Sequence, residues 1–374
     1  MKHASLLGVA LSLGVTCAAP SAVAEPAEPT HEKPLPGECS EPSASRQALA
    51  AGAAVVPGVL VHGAGSYVQG CPETAEKLLV LEAAGLGLGL AGGGTLVLTG
   101  AARSLAGVAV ATAVTGAGLV AMTWLADLYA VVSPDGGWGQ APLRLPLLET
   151  ELGYAHVVDP RFDYRNFQVS RLSASFGRFR VEPSLWASAD DGNSRWRLVG
   201  GYRLFGASMS ESSQDGSFLE LELAVTDHRF PADRFALGTA EWSVQGRLDL
   251  GRLGRNLRGA FAELGLGTAF QATRFEVRGA ETTGSTLLLS RFAFGAYLGD
   301  PRAGGGEAKL FYDHRHDGFA GGFLMPGLGS GPAGHIGIEG FYYFCEHWGL
   351  GASSSVGSAA VFELGGRFRQ WGPS

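Results

Sequence analysis

Between residues 147 and 371 apolar and polar side chains alternate with a period of two, the period of a strand, whose successive side chains point to opposite faces. In the last run Ala360, Phe362, Leu364, Gly366 and Phe368 share one parity, while Glu363, Gly365, Arg367 and Arg369 share the other. Arg195, Arg197, Gly201 and Arg203 oppose Trp196, Leu198, Tyr202 and Leu204 in the same way. Leu219, Leu221, Leu223 and Val225 oppose Glu220, Glu222 and Thr226. A half-buried soluble sheet shows such alternation once or twice. Its recurrence through the whole segment, with the charges always on one parity, describes a sheet rolled shut, apolar outside and polar inside: an all-β transmembrane barrel of antiparallel strands.

The runs fall near 147–156, 167–177, 179–189, 194–205, 217–227, 235–249, 257–270, 285–298, 306–314, 334–344, 346–356 and 359–371, about twelve in all. Twelve is even, as closed single-chain barrels of this type require. Turn-forming clusters separate them, notably Asp190-Asp191-Gly192-Asn193 and Gly304-Gly305-Gly306, with a polar loop from Met209 to Gly216. Trp196, Tyr202, Phe270, Tyr312, Tyr342, Phe344 and Trp371 lie near run ends and are expected in interfacial girdles.

The N-terminal third reads differently. Residues 1–24 have a basic start, an apolar stretch and Ala22-Val23-Ala24 as a small-residue cleavage site, which predicts a secretory signal. Cys17 lies inside it, and Thr16 before that cysteine makes a poor lipidation site. Residues 25–45, rich in Pro, Glu and Ser, have too little apolar surface to fold and read as a leader. Residues 46–132 turn Gly- and Ala-rich, with apolar runs from Glu73 to Leu98 and from Ser104 to Val132 that are expected to pack as a helical hairpin. Small residues such as Gly85, Gly89 and Gly93 allow close approach; the competing reading is a strand over Leu86–Leu90, where Leu alternates with Gly. The hairpin is expected against the barrel wall or its periplasmic mouth, with the lumen disfavoured because an apolar hairpin would leave interior charges unsolvated. Residues 133–146 form a turn-rich linker.

Two resemblances add to this. The segment from Leu147 to Trp371, with its alternating runs and its aromatic last strand, resembles the outer-membrane β-barrel superfamily, which implies the envelope of a Gram-negative bacterium and membrane lipid as the partner. Gly372-Pro373-Ser374 trails beyond that strand, a departure from the pattern. The stretch from Val55 to Gly70, with Pro57-Gly58, Gly63, Gly65 and Tyr67, resembles the opening of a family of bacterial membrane hairpin domains of unknown function, and implies a membrane-associated hairpin without any chemistry.

Net charge is −7 with no Lys/Arg block, which leaves no footprint for nucleic acid. The inward parity carries Arg171, Arg180, Arg195, Arg197, Arg203, Arg247, Arg367 and Arg369 against Glu220, Glu222, Glu241, Glu263, Glu339 and Glu363, with Glu149, Glu151, Glu182, Glu307, Arg291 and Lys309 completing the set. Such balance suits ion-pair ladders that fill a small barrel, hence a structural or passively permeable role. A porin-like channel for small solutes is the alternative, and one-sided charge would have favoured it. Asp313, His314, His316 and Asp317 form a polar cluster in which strand geometry separates the acids from the histidines, so a solvated strand end without a metal is expected, and a metal or proton-linked site converged by a loop is the alternative. A lipolytic enzyme would need a Ser–His pair on neighbouring strands, such as His335 with Ser290 or His347 with Ser353 to Ser355; no signature supports one, and neither enzyme chemistry nor a cofactor is expected. Once the signal is removed, an oxidising compartment allows Cys39 and Cys71 to pair and leaves Cys345 alone, and three separate thiols are the other reading.

Overall fold

The computed structural model describes residues 39, 43–100, 102–133, 137–142, 145–208, 213, 215–277, 279, 281–300, 304–315, 318–324 and 333–372, save the side chain at position 103. The predicted signal and most of the leader lie outside these residues. Among them, twelve strands close into an antiparallel barrel: β1 (Leu148–Val158), β2 (Asn166–Phe176), β3 (Phe179–Ser188), β4 (Ser194–Phe205), β5 (Phe218–Phe230), β6 (Phe235–Asp249), β7 (Ala260–Phe275), β8 (Thr283–Asp300), β9 (Gly304–Asp313), β10 (His335–Tyr343), β11 (Trp348–Val356) and β12 (Ala360–Gln370). Each strand pairs with its sequence neighbours, and β1 pairs with β12 from Leu148 opposite Gln370 to Val158 opposite Ala360. Closure leaves no sheet edge, the condition a strand fold must meet in hydrocarbon.

The alternation orients the wall as expected. Leu152, Tyr154, Leu185, Leu223, Ile338 and Leu364 are exposed on the outside. Outward Phe176, Phe179, Tyr202, Phe205, Tyr342 and Phe344 ring the end at which β1 begins and β12 ends, and Tyr154, Trp196 and Phe270 lie towards the other end. Trp371 departs from the expected girdle: it shares the inward parity of Arg369, whose guanidinium lies 4.6 Å over its ring. Gly304–Gly306 is a second correction, since these residues open β9, where Gly305 pairs with Gly299 and Tyr343. Without side chains they thread a crowded rim, for a Cβ on Gly304 would come within 2.7 Å of the Tyr343 carbonyl.

Four helices precede the barrel: α1 (Ala44–Val55), α2 (Ala64–Gln69), α3 (Pro72–Leu98) and α4 (Arg103–Val132). Leu86–Leu90 is helical, so the strand reading fails there; it lies within a helix of about seven turns whose glycines pack a helix partner. A Cβ at Gly85 would lie 2.9 Å from the Gly116 carbonyl, and one at Gly92 2.5 Å from that of Ala109. Only glycine lets α3 and α4 approach so closely. Both are long and apolar enough to cross a membrane. At the base, buried Asp127 of α4 accepts from the backbone N–H of Gly65 (3.0 Å) and Ser66 (2.9 Å) and from Ser66 Oγ (2.7 Å), tying α2 to the hairpin. Cys39 and Cys71 form a disulfide. Cys345 is also disulfide-bonded, against the expectation that it stands alone.

Candidate functional site

The inward charges meet in clusters of ion pairs. Arg171 on β2 reaches Glu151 on β1 (3.1 Å) and, past β1, Glu363 on β12 (2.6 Å). Arg367 on β12 reaches Glu149 (3.3 Å) and Glu151 (2.9 Å). Arg180 on β3 holds Glu182 (2.6 Å), Glu220 (2.8 Å) and Glu222, the last two across β4. Arg197 on β4 pairs with Glu241 on β6, and Arg315, beyond the end of β9, reaches the same carboxylate at 3.2 Å. Arg247 on β6 bridges Glu263 on β7 (2.5 Å) and Glu307 on β9 (2.7 Å). Lys309 joins Glu263 (3.0 Å) to Glu339 (2.9 Å), and Arg291 adds a contact with Glu339 at 3.3 Å.

These links leap over intervening strands because long side chains from a small barrel's wall meet near its axis. Each arginine supplies several donors to carboxylates that would otherwise sit unpaired in a confined space. Neighbouring inward glycines make room, as at Gly351, where a Cβ would lie 2.7 Å from Arg367 Nε. Arg195 lines the same cavity, Arg203 lies 3.8 Å from Glu220 and over the Phe218 ring, and Arg369 donates to the Glu346 carbonyl (2.8 Å) at the rim. The structure thus brings the lumen residues named from parity onto one inner surface, with Arg369 at its margin.

The inside is not uniformly polar, and this corrects a strict reading of the alternation. At the end opposite the start of β1 and the close of β12, Phe167, Val169, Trp186, Phe230 and Val361 point inward and bury Phe319 from the connection after β9. Phe319 lies 4.6 Å from Phe167 and 5.1 Å from Trp186, ring centre to ring centre. The sequence carried this signal, since Phe167 and Val169 share the parity of Arg171, and Phe230 that of Glu222. What could not be read was that residues from the long β9–β10 connection fold back among them. A cavity of about 590 Å³ runs through the charged zone as far as the packed end, lined by Arg180, Arg197 and Lys309 among others, with Pro142 and Leu145 towards one end and Gly318, Phe319 and Ala320 towards the other.

No family model and no curated protein matches the chain. Solved structures similar to it include a KdgM porin in complex with disordered oligogalacturonate, at 8% identity over 59% of this chain and 98% of that one, with a TM-score of 0.35. The outer membrane protein Omp33 of Acinetobacter baumannii matches at 10% identity over 61% and 100%, TM-score 0.32. The β domain of the Bordetella autotransporter Brka matches at 14% identity over 60% and 99%, TM-score 0.33.

The remaining candidates do not assemble. Of the polar cluster, His316 and Asp317 lie outside the described residues. Buried His314 shares a 2.9 Å hydrogen bond between its Nδ1 and the Tyr312 hydroxyl, while Asp313 accepts from the Arg315 backbone N–H (2.9 Å) on the other face. Among the described residues no group of three or more His, Cys, Asp or Glu could hold a metal. Ser290 has the outward parity of Phe292 and His335 the inward parity of Glu339, so the wall separates them. His347 sits in the turn before β11, its Nδ1 3.0 Å from the Arg369 carbonyl, and Ser353 lies six residues up the strand, roughly 20 Å away at strand rise.

Proposed function

We propose that the chain is an integral outer-membrane β-barrel with an architectural role, whose interior is bridged and passes at most small solutes. The observation that carries this reading is the two-sided wall: a mainly apolar exterior around a lumen spanned by ion pairs between non-adjacent strands, such as Arg247 with Glu307 and Arg197 with Glu241. Balanced charge and the buried Phe319 both argue against a wide, water-filled pore. The separation of Ser290 from His335 supports a barrel without lipid-ester hydrolysis. A small-solute channel is the second reading, favoured by the 590 Å³ cavity lined with both signs of charge. Conductance of the full-length protein in planar bilayers separates the two. The architectural reading expects no steady steps from the native protein and measurable steps once Phe319→Ala loosens the packed end. Stable steps from the native protein, with ion selectivity altered by Glu241→Gln, would replace it with the channel.

A further inference from the structure

The α3–α4 hairpin lies on the outside of the wall, on the face that the barrel reading assigns to lipid. Its base is fixed near the β6–β7 connection: Tyr129 donates its hydroxyl to the Arg258 carbonyl (2.9 Å), Lys77 Nζ to that of Leu253 (2.9 Å), and Thr74 Oγ1 to Asn256 Oδ1 (2.9 Å). Leu78, Ala126, Tyr129 and Ala130 pack there with Leu250, Leu257 and Ala260. Higher up, Gly118 sits against the Phe292 ring so closely that a Cβ would come within 2.7 Å of it, and Tyr129 meets Phe294 edge to face. Phe292 and Phe294 are outward positions of β8. At this sector, α4 occupies the place that acyl chains take elsewhere around the belt.

We infer that the hairpin is embedded in the hydrocarbon core of the same bilayer as the barrel, with its tip at the interface opposite the end at which β1 begins and β12 ends. The inference rests on the outer-membrane reading above. Beyond the contact with β8, the sides of the hairpin turned away from the wall and from the helix partner are apolar, with Leu90 76% and Val97 81% exposed and Leu86 and Val108 likewise open. In water that would be a large unprotected patch. From residue 83 to residue 126 a single ionisable residue, Arg103, occurs, and it stands at the tip where the two helices turn. Residues 83–98 rise about 24 Å at 1.5 Å per residue, the height of the apolar band of an outer-membrane barrel, roughly 25 Å. Three hydroxyls along these legs return to their own helices: Thr95 donates to the Ala91 carbonyl (2.7 Å), Thr99 to that of Thr95 (2.7 Å) and Thr112 to that of Val108 (2.9 Å). Such bonds let threonine sit in lipid without water. The Gly85–Gly116 and Gly92–Ala109 contacts supply the close helix packing that works where no hydrophobic effect drives association.

Cys39 and Cys71 are joined as a disulfide, so in a Cys345→Ser background an introduced thiol can carry a fluorophore. Leu90→Cys and Val108→Cys, with Leu223→Cys on the barrel belt and Leu60→Cys in the exposed turn before α2 as references, would be labelled in the full-length protein and reconstituted into vesicles containing acyl-brominated phospholipid. The inference expects the labels at positions 90 and 108 to lose fluorescence to bromolipid as strongly as the label at 223, and the label at 60 to be quenched by aqueous iodide instead. Bromolipid quenching at 223 alone, with iodide reaching 90 and 108, overturns the embedded hairpin and leaves the barrel reading standing. Positions 90 and 108 shielded from both quenchers would mean that protein, such as a second copy of the chain, covers them, and also overturns it. No bromolipid quenching at 223 removes the barrel reading on which the inference rests.

Discussion

Leu223 and Glu222 are adjacent in β5 and point to opposite sides of the wall, so a pair of substitutions there tests the orientation of the whole barrel. Leu223 is the sixth of thirteen residues in its strand, faces outward between Gly200 and Trp242, and is 59% exposed to whatever surrounds the protein. Leu223→Arg places a guanidinium near the bilayer midplane on the lipid face, at a cost of about 2–4 kcal/mol. Glu222 faces inward, where it accepts from Arg180 and from Gln245 Nε2 (2.5 Å). Glu222→Gln keeps the shape and one carbonyl acceptor, and Arg180 retains Glu182 and Glu220. Its cost is about 1 kcal/mol. Urea titration of vesicle-refolded protein, followed by tryptophan fluorescence, reads the difference. With an m-value of about 3 kcal/mol/M, the arginine variant loses about 1 M in midpoint and the glutamine variant a few tenths. Equal shifts, or a larger shift for Glu222→Gln, would refute the outward placement of Leu223 and with it the lipid-facing parity.

Three further outcomes follow from the N-terminal helices. Gly116→Val would drive a branched side chain into the Gly85 carbonyl and the α3 backbone at Gly89, so it should splay the hairpin and cost about 1–3 kcal/mol, seen as a longer α3–α4 distance between paired spin labels. Asp127→Ala strands the Gly65 and Ser66 N–H groups and the Ser66 hydroxyl, at roughly 3 kcal/mol, whereas Asp127→Asn keeps an acceptor and costs less; hydrogen exchange at Gly65 and Ser66 distinguishes them. His62 is buried, its Nδ1 2.7 Å from Thr123 Oγ1, and burial holds its pKa below the usual 6.5 against the opposing pull of Glu82 and Asp127. Unfolding therefore takes up a proton near pH 6.5, so this contribution to stability is complete above that pH and is lost as the pH falls. Thermal unfolding of the helical signal should drop between about pH 7.5 and about pH 5.5, and His62→Gln should flatten that limb; an unchanged slope would count against the assignment.

Much of the barrel was legible because a strand's period of two leaves a local trace that needs no knowledge of partners. Twelve runs, their faces and the inward charges all follow from which residues share a parity, as Glu363, Arg367 and Arg369 do against Phe362, Leu364 and Phe368. The helical hairpin was legible for a similar reason, since length and small-residue content are local properties. Gly304–Gly306 misled because glycine marks both turns and crowded strand ends, and only the Tyr343 carbonyl beside it shows which applies. Trp371 misled because aromatic character does not say on which side of the wall a residue falls.

Tertiary structure alone decided the rest. Which glutamate each arginine takes depends on register and on reach across the lumen, as when Arg247 passes over β7 and β8 to Glu307. Phe319 comes from a connection with no period, so nothing in its local sequence could place it among Phe167 and Trp186. The hairpin's position against the barrel likewise rests on long-range contacts, such as Gly118 facing Phe292 on β8 and Tyr129 reaching Arg258. Periodicity determines which side of an element is apolar; contacts between residues far apart in the chain determine what that side meets.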